Sequence, residues 1–422
     1  MTIRLDREAL VGGEDRYHRQ QLIAWWDQPR VAGARVLVIG AGALGNEILK
    51  LLSLTGIGWT MVYDPDRIER SNLSRSVLFR DADEGRFKAD AAVARMRELN
   101  PEIHAFARVE DVISRAGLGM FLWADVVIGG VDNREARVFI NSACARTGRA
   151  WVDGAIEGLS GVVRAFLPAE TACYECTMNA TDRKLLAERR SCALLARDVV
   201  ARGHVPSTAV AASLIGALEV QEAIKLLHGQ PALLGEGVHI HGLWGDFSRV
   251  RYPRREECPG HERLKTPIPL GLGVNDVSLG ALLDRAEARL GEGATLDLSR
   301  DVISRISCPG CGLASSGGVV LGAMREADAR CPACGAHRIV EIASSIGRDG
   351  RVDLAATPAA LGLPPFDILV ARRGLEQEEA WLFDGDAAAA LGPLFESFQQ
   401  ERSRNAAPGA APDLVSLPGG AP

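Results

Sequence analysis

The sequence predicts an α/β protein: a mostly parallel, doubly wound sheet, followed by a smaller α+β unit that contains a metal ribbon. Three observations carry this reading. Strand-like and helix-like runs alternate from Arg35 to Leu167, the pattern of a parallel sheet with crossover helices. A glycine-rich turn, Gly40-Ala-Gly-Ala-Leu-Gly45, joins the first strand directly to the first helix. Six of the nine cysteines fall in three C-x-x-C pairs, two of them beyond residue 300.

The elements follow in order. Residues 1–15 are polar, lack the apolar core of a signal peptide, and read as a loose arm. Arg16-Tyr-His-Arg-Gln-Gln21 opens an amphipathic helix expected to continue toward Trp26. Arg35–Gly40 is the first strand, Leu44–Leu54 its helix and Trp59–Asp64 the next strand. A long polar loop, Asp64 to Arg75, then leaves the strand's carboxyl end, where open α/β sheets bind ligands. Lys88–Leu99 is an alanine-rich helix stopped by Asn100-Pro101. Ile103–Val109, Ala124–Gly130, Ala150–Asp153 and Gly161–Leu167 are further strands. Val131-Asp132-Asn133-Arg134 reads as the cap of the helix after the fourth strand, and Cys144 on that helix as core packing.

A charged segment, 177–206, separates the sheet from a long apolar helix at Ser207–Leu227. That helix carries Glu219, Gln221, Glu222 and Lys225, so it is a buried helix and not a membrane span. The expected organisation is an arm (1–15), a first domain (16–262), a C-terminal domain (263–400) holding the ribbon (305–340), and a disordered Ala/Pro/Gly-rich tail (401–422). With 47% hydrophobic and 24% charged residues the composition is that of a globular protein, and a net charge of −6 argues against a general nucleic-acid binder. A cytoplasmic location is expected.

Strand, glycine turn and helix together make a nucleotide cradle: glycine lets the backbone approach phosphate, and the helix N-terminus offers free N–H groups. Asp64, nineteen residues past Gly45, stands where a ribose-binding carboxylate belongs. A dinucleotide oxidoreductase is one reading of this loop. The Ser71-Asn72-Leu73-x-Arg75 run is something such an enzyme has no need of.

Taken together, R-x-x-R-Q at Arg16–Gln20, the glycine turn, Asp64 to Arg75, Lys88 and Val131–Arg134 resemble the ubiquitin-activating-enzyme superfamily, with its adenylyltransferases of molybdopterin and thiamine synthesis. The resemblance covers roughly residues 12–262. It implies a Rossmann-like adenylation domain that uses Mg-ATP to adenylate the C-terminal glycine of a ubiquitin-like protein, acting as a homodimer and handing on to a conjugating enzyme. Antiphage defence is one setting for such a pathway. It implies a nucleotide site of Gly40, Gly42, Ala43, Gly45, Asp64, Asp66, Asn72, Arg75, Lys88, Asp132 and Asn133. Lys88 and Arg19 would contact phosphate, Arg75 would do so from the partner subunit, Asp64 would hold the ribose, and Asp132 would hold Mg²⁺. An activator that only adenylates a sulfur carrier, and a non-catalytic ribbon scaffold, are the alternatives.

Two zinc sites are expected. The resemblance places Cys173/Cys176 and Cys258/His261 on one ion, a Cys₃His set. Cys308/Cys311 and Cys331/Cys334 form C-P-x-C-G twice, with nineteen residues between the inner cysteines, a ribbon spacing. That leaves Cys192, in Arg189-Arg-Ser-Cys192, where surrounding positive charge favours the thiolate. By resemblance, this crossover segment carries the acyl-accepting cysteine.

Overall fold

The computed structural model describes residues 15–179, 181–183, 206–321 and 326–405. Eight strands form the main sheet: β1 (Arg35–Ile39), β2 (Trp59–Tyr63), β3 (His104–Arg108), β4 (Val126–Gly129), β5 (Trp151–Glu157), β6 (Ser160–Phe166), β7 (Glu236–His241) and β8 (Asp246–Arg251). Their order is β3-β2-β1-β4-β5-β6-β7-β8. The pairings from β3 through to β5 are parallel, and those from β5 to β8 antiparallel. The chain therefore winds outward from β1 to β3 and returns to the other side of β1 as β4. The crevice between β1 and β4 is the switch point of the sheet.

Both faces of the parallel half are apolar, so β1 reads as Val-Leu-Val-Ile without alternation. Val36 and Val38 point into one core, with residues of α3 (Ala43–Thr55), α4 (Lys88–Leu99) and the long Ala209–Leu227 helix, numbered α9 below. Leu37 and Ile39 point into the other, against α6 (Leu118–Trp123) and α7 (Arg134–Thr147). Between these lie α5 (Val112–Arg115) and, after the sheet turns antiparallel, α8 (Tyr174–Thr177).

Three expectations change. The N-terminal helix does not reach Trp26: α1 spans only His18–Gln21, and a second helix, α2 (Gln28–Gly33), follows. Asp27 accepts the Arg30 N–H at 3.1 Å with Pro29 in the first turn, a start signal that forces a new helix. At the other end, the helix Phe395–Asn405 runs past the expected tail boundary, because Phe395 and Phe398 dock into the second core.

The third concerns the C-terminal unit, which has a core of its own and also shares one with the main sheet. It has its own sheet, in the order β11-β10-β13-β14-β9, with β12 also on β10. These strands are β9 (Ile268–Pro269), β10 (Thr295–Ser307), β11 (Ala314–Val320), β12 (Ile339–Ile346), β13 (Ile368–Arg373) and β14 (Gln377–Leu382), with α10 (Leu279–Leu290) packed on them. β11 begins earlier than the short strand expected at Gly318–Leu321. Yet Phe366, Ile368, Val370, Leu382, Leu391 and Leu394 lie in the same core as Leu37, Ile39 and Trp123. The C-terminal unit thus supplies part of the layer covering the main sheet. No described helix is long and apolar enough to cross a membrane.

Candidate active site

The glycine turn crosses the switch point. Gly40 has φ of +98°, and a Cβ there would lie 2.4 Å from the Gly130 carbonyl oxygen. A Cβ on Gly45 would lie 2.0 Å from the Gly40 oxygen, so the turn closes only with glycine at both positions. Gly42, the N-cap of α3, faces open space instead, which leaves its backbone accessible to a ligand. A fully buried residue that sequence reasoning missed, Asn46, pins this turn. Its amide donates to the carbonyls of Ala41 (2.7 Å) and Gly42 (3.0 Å), and its oxygen accepts the Leu78 N–H at 2.9 Å.

Asp64 directly follows β2 beside the turn and is buried. Its carboxylate accepts the N–H of Ala41 at 2.7 Å and of Asp66 at 2.8 Å, so it fixes the loop as well as facing it. Burial pushes its carboxyl above the usual range, against the pull of Lys88 and these two N–H groups. Lys88 opens α4. Its ammonium meets the Asp66 carboxylate at 2.8 Å, and its side chain is 13% exposed while that of Asp66 is 65% exposed. The cation is held from the more accessible side by a carboxylate that an incoming phosphate could replace.

On the opposite lip, Asp132 is exposed in the four-residue connection between β4 and α7. Asn133 caps α7 by accepting the Ala136 N–H at 2.8 Å, as expected of the helix cap. Asn72 and Arg75 lie further out on the loop after β2. The Asn72 side chain accepts the Glu69 N–H at 2.9 Å, and Arg75 donates to the Ser71 carbonyl at 2.7 Å.

Arg19 is not brought to this cluster. Arg16 donates to the Leu99 carbonyl at 2.6 Å and Gln20 to that of Thr55 at 3.2 Å, which docks α1 on the C-terminal ends of α4 and α3. The glycine turn is at the other end of α3, about 20 Å away for thirteen residues at the helical rise. Cys192 lies outside the described residues.

Both expected metal sets are assembled. In the first, Cys173 Sγ lies 3.8 Å from Cys176 Sγ and 3.6 Å from Cys258 Sγ, and Cys176 Sγ lies 3.3 Å from His261 Nε2. In the second, Cys308 Sγ is 3.4 Å from Cys334 Sγ and Cys311 Sγ 3.6 Å from Cys331 Sγ. Within each set all four donor atoms lie within 4.8 Å of one another. A tetrahedron with zinc–sulfur bonds of about 2.3 Å has edges of about 3.8 Å, so both sets fit zinc. Cys144 is fully buried, and burial raises its thiol well above the usual range, in keeping with packing.

The pattern of the ThiF family matches residues 16–260. The chain belongs to the ThiF family. Among its relatives, the SAMP-activating enzyme E1 of Haloferax volcanii is 31% identical over 61% of this chain and 91% of its own length. The sulfur carrier protein adenylyltransferase of Thermus thermophilus is 32% identical over 58% of this chain and 89% of its own. Among solved structures, Escherichia coli MccB with ATP superposes with a TM-score of 0.51 at 22% identity, over 61% of this chain and 77% of that one. The last likeness speaks to the fold alone. As a ThiF-family member, this chain is an E1-like adenylyltransferase, and its C-terminal unit lies beyond the family match.

Proposed function

We propose that this chain adenylates the C-terminal glycine of a ubiquitin-like protein and then takes the acyl group onto Cys192. What supports this best is the placement of the glycine turn, Asp64, the Lys88–Asp66 pair and the Asp132 loop on the carboxyl ends of β1, β2 and β4. An oxygen of the glycine carboxylate attacks the α-phosphorus of ATP. The bond to the bridging oxygen breaks, and pyrophosphate leaves with that oxygen. Charge builds on phosphate oxygens in this step, so fixed cations and N–H groups lower its barrier most. The α3 N-terminus receives phosphate, Asp64 orients the ribose, and Lys88 exchanges Asp66 for a phosphate oxygen, with Asn72 beside the nucleotide. Magnesium, when bound, neutralises charge on the leaving phosphates; Asp132 is the residue to hold it, since this cation takes one or two carboxylates together with phosphate oxygens.

The Cys192 thiolate then attacks the acyl carbon and AMP departs, leaving a thioester for a conjugating enzyme. With Mg-ATP and a ubiquitin-like protein ending in glycine, the full-length chain is expected to form an adduct that thiol reagents remove on a gel. An adduct that survives Cys192→Ala overturns the role of that residue. The likeness to the Thermus sulfur carrier enzyme favours a second reading, adenylation without the thioester. A thiocarboxylate product would decide for it.

The chain is proposed to act in the cytoplasm as a homodimer, with Arg75 facing the neighbouring copy. Since α1 docks away from its own turn, Arg19 is also assigned to the neighbour's nucleotide. Mixing inactive Arg19→Ala and Lys88→Ala chains should then restore part of the activity; no recovery from mixed dimers returns Arg19 to a structural role. Two structural zinc ions per chain are proposed. Elemental analysis should give two, falling to one in Cys258→Ser and in Cys331→Ser.

A further inference from the structure

Behind the Asp132 loop lies a buried group of charges that none of the roles above uses. Arg137, one turn into α7, is 7% exposed. Its Nε donates to Asp153 Oδ1 at 2.7 Å, and its Nη2 donates to the carbonyls of Val131 (2.6 Å) and Gly154 (2.9 Å). Asp153 is fully buried at the end of the β4-paired part of β5, and its other oxygen accepts from Arg164 on β6. On the far side of Gly154 stands Glu219 of α9, fully buried, with neither carboxylate oxygen hydrogen-bonded to a partner among the described residues. A Cβ on Gly154 would sit 2.4 Å from that carboxyl group.

This arrangement has one feature aimed at the site. The carbonyl of Val131 belongs to the peptide unit that leads into Asp132. Before it, the Gly130 N–H donates to the Ile39 carbonyl at 2.9 Å; after it, Asn133 caps α7. The connection carrying Asp132 is thus held at Gly130, Val131 and Asn133, and among the described residues the tie at Val131 is made by Arg137. A guanidinium can hold a carboxylate and two carbonyls from one fixed plane, which a lysine ammonium at the same place cannot reproduce.

We infer that Arg137 is a positioning residue: by tying the Val131 carbonyl to Asp153 and Gly154 in the middle of β5, it sets the carboxylate of Asp132 for the divalent cation that accompanies ATP. The inference rests on the proposed role of Asp132, and it requires no contact between Arg137 and the nucleotide.

The test uses the full-length chain, ATP and MgCl₂, with no protein substrate. ATP binding is measured calorimetrically with and without magnesium in wild type, Arg137→Lys, Asp132→Asn and the double variant, and folding is checked by thermal melting. Wild type is expected to bind ATP more tightly when magnesium is added. Arg137→Lys should lose that gain by roughly tenfold while magnesium-free affinity stays within about twofold. The double variant should be no weaker than Asp132→Asn, because both changes remove one interaction. If Asp132→Asn loses the magnesium gain and Arg137→Lys keeps it, the positioning role is wrong and the reading of Asp132 stands. If Asp132→Asn keeps the full gain, the reading of Asp132 itself fails and this inference with it. A loss in Arg137→Lys that is equal with and without magnesium marks a merely structural role and also overturns it.

Discussion

Arg137 and Arg300 are two buried arginines in the same molecule, and their surroundings are nearly alike. Each pairs with a fully buried aspartate, Asp153 in one case and Asp367 in the other. Each also donates to two backbone carbonyls: Val131 and Gly154 for Arg137, Ile113 and Ala116 for Arg300. The carbonyls differ in what they belong to. Those of Arg137 flank the switch-point crevice of the main sheet. Those of Arg300, a residue of β10, lie on and just after α5, so this arginine joins the C-terminal unit to the first. Asp367 completes that joint by accepting the Leu118 N–H at 2.8 Å. The electrostatic balance differs as well. Burial is the largest influence on both guanidinium charges and works against them, but at Arg137 the charge and hydrogen bond of Asp153, with Tyr174 and Glu219, together outweigh it, and at Arg300 the charge of Asp367 does not. The same chemistry therefore serves a site in one place and an architecture in the other, and the residues at the far end of each hydrogen bond tell which.

The largest effect should come from breaking the architectural joint. Arg300→Ala leaves Asp367 buried without its cation and is expected to cost about 3–5 kcal/mol, read by denaturant unfolding, with ATP binding intact well below the melting point. A stable Arg300→Ala chain with altered ATP binding would erase the distinction between the two arginines. A smaller effect, about 1–2 kcal/mol, is expected for Arg108→Ala. Arg108 on the edge strand β3 donates to the Ala389 carbonyl at 2.6 Å and the Ala390 carbonyl at 3.1 Å, capping the short helix Ala387–Leu391, numbered α11. It is a second, more exposed tie between the same two units.

A further change is a pH dependence. Burial, followed by the charge of Asp153, holds the Glu219 carboxyl well above its ordinary value of 4.5. The folded chain thus keeps a proton that the unfolded chain releases, and stability falls as pH rises above that ordinary value. The slope from this group is at most about 1.4 kcal/mol per pH unit. Glu219→Gln cannot release the proton, so its stability should decline less between pH 5 and 8. Equal slopes in the two proteins would mean that Glu219 is ionised in the fold.

The two cysteine sets repeat the comparison in a different chemistry. Cys173, Cys176 and Cys258 are buried with Ala172 against Tyr252, and Asn141 of α7 accepts the Tyr174 N–H at 2.9 Å. Among the described residues the ribbon is backed by a small cluster of Ile303 and Ile306 with Leu321 and Val340, and Cys311 and Cys334 are exposed. Its two knuckles match: the N–H of Gly312 donates to the Cys308 carbonyl at 2.9 Å and that of Gly335 to the Cys331 carbonyl at 2.8 Å. Chelation should therefore cost hydrogen-exchange protection mainly in β10, β11 and β12, because there the metal stands in for a core.

Much of this was legible in the residues, because local rules govern it. A strand that runs into Gly40-x-Gly42 can only be followed by a helix whose N-terminus lies open, and two C-P-x-C-G units can only fold back as knuckles. The alternation of strands and helices that makes the sheet mostly parallel, and the donor set of the ribbon, follow from such signals; the Cys173, Cys176, Cys258 and His261 set came from the resemblance. Tertiary structure decided the rest. Nothing near Arg19 in the chain says that its helix docks at the far end of α3, since that contact is with Thr55 and Leu99. Nothing within residues 263–400 says that Phe366 and Leu391 complete a core begun by Leu37. An arginine on a helix ordinarily faces water; the meeting of α7 with the middle of β5 is what buries Arg137. Such long-range contacts are set by which apolar faces remain to be covered once the local elements have formed, and a linear pattern does not carry that information.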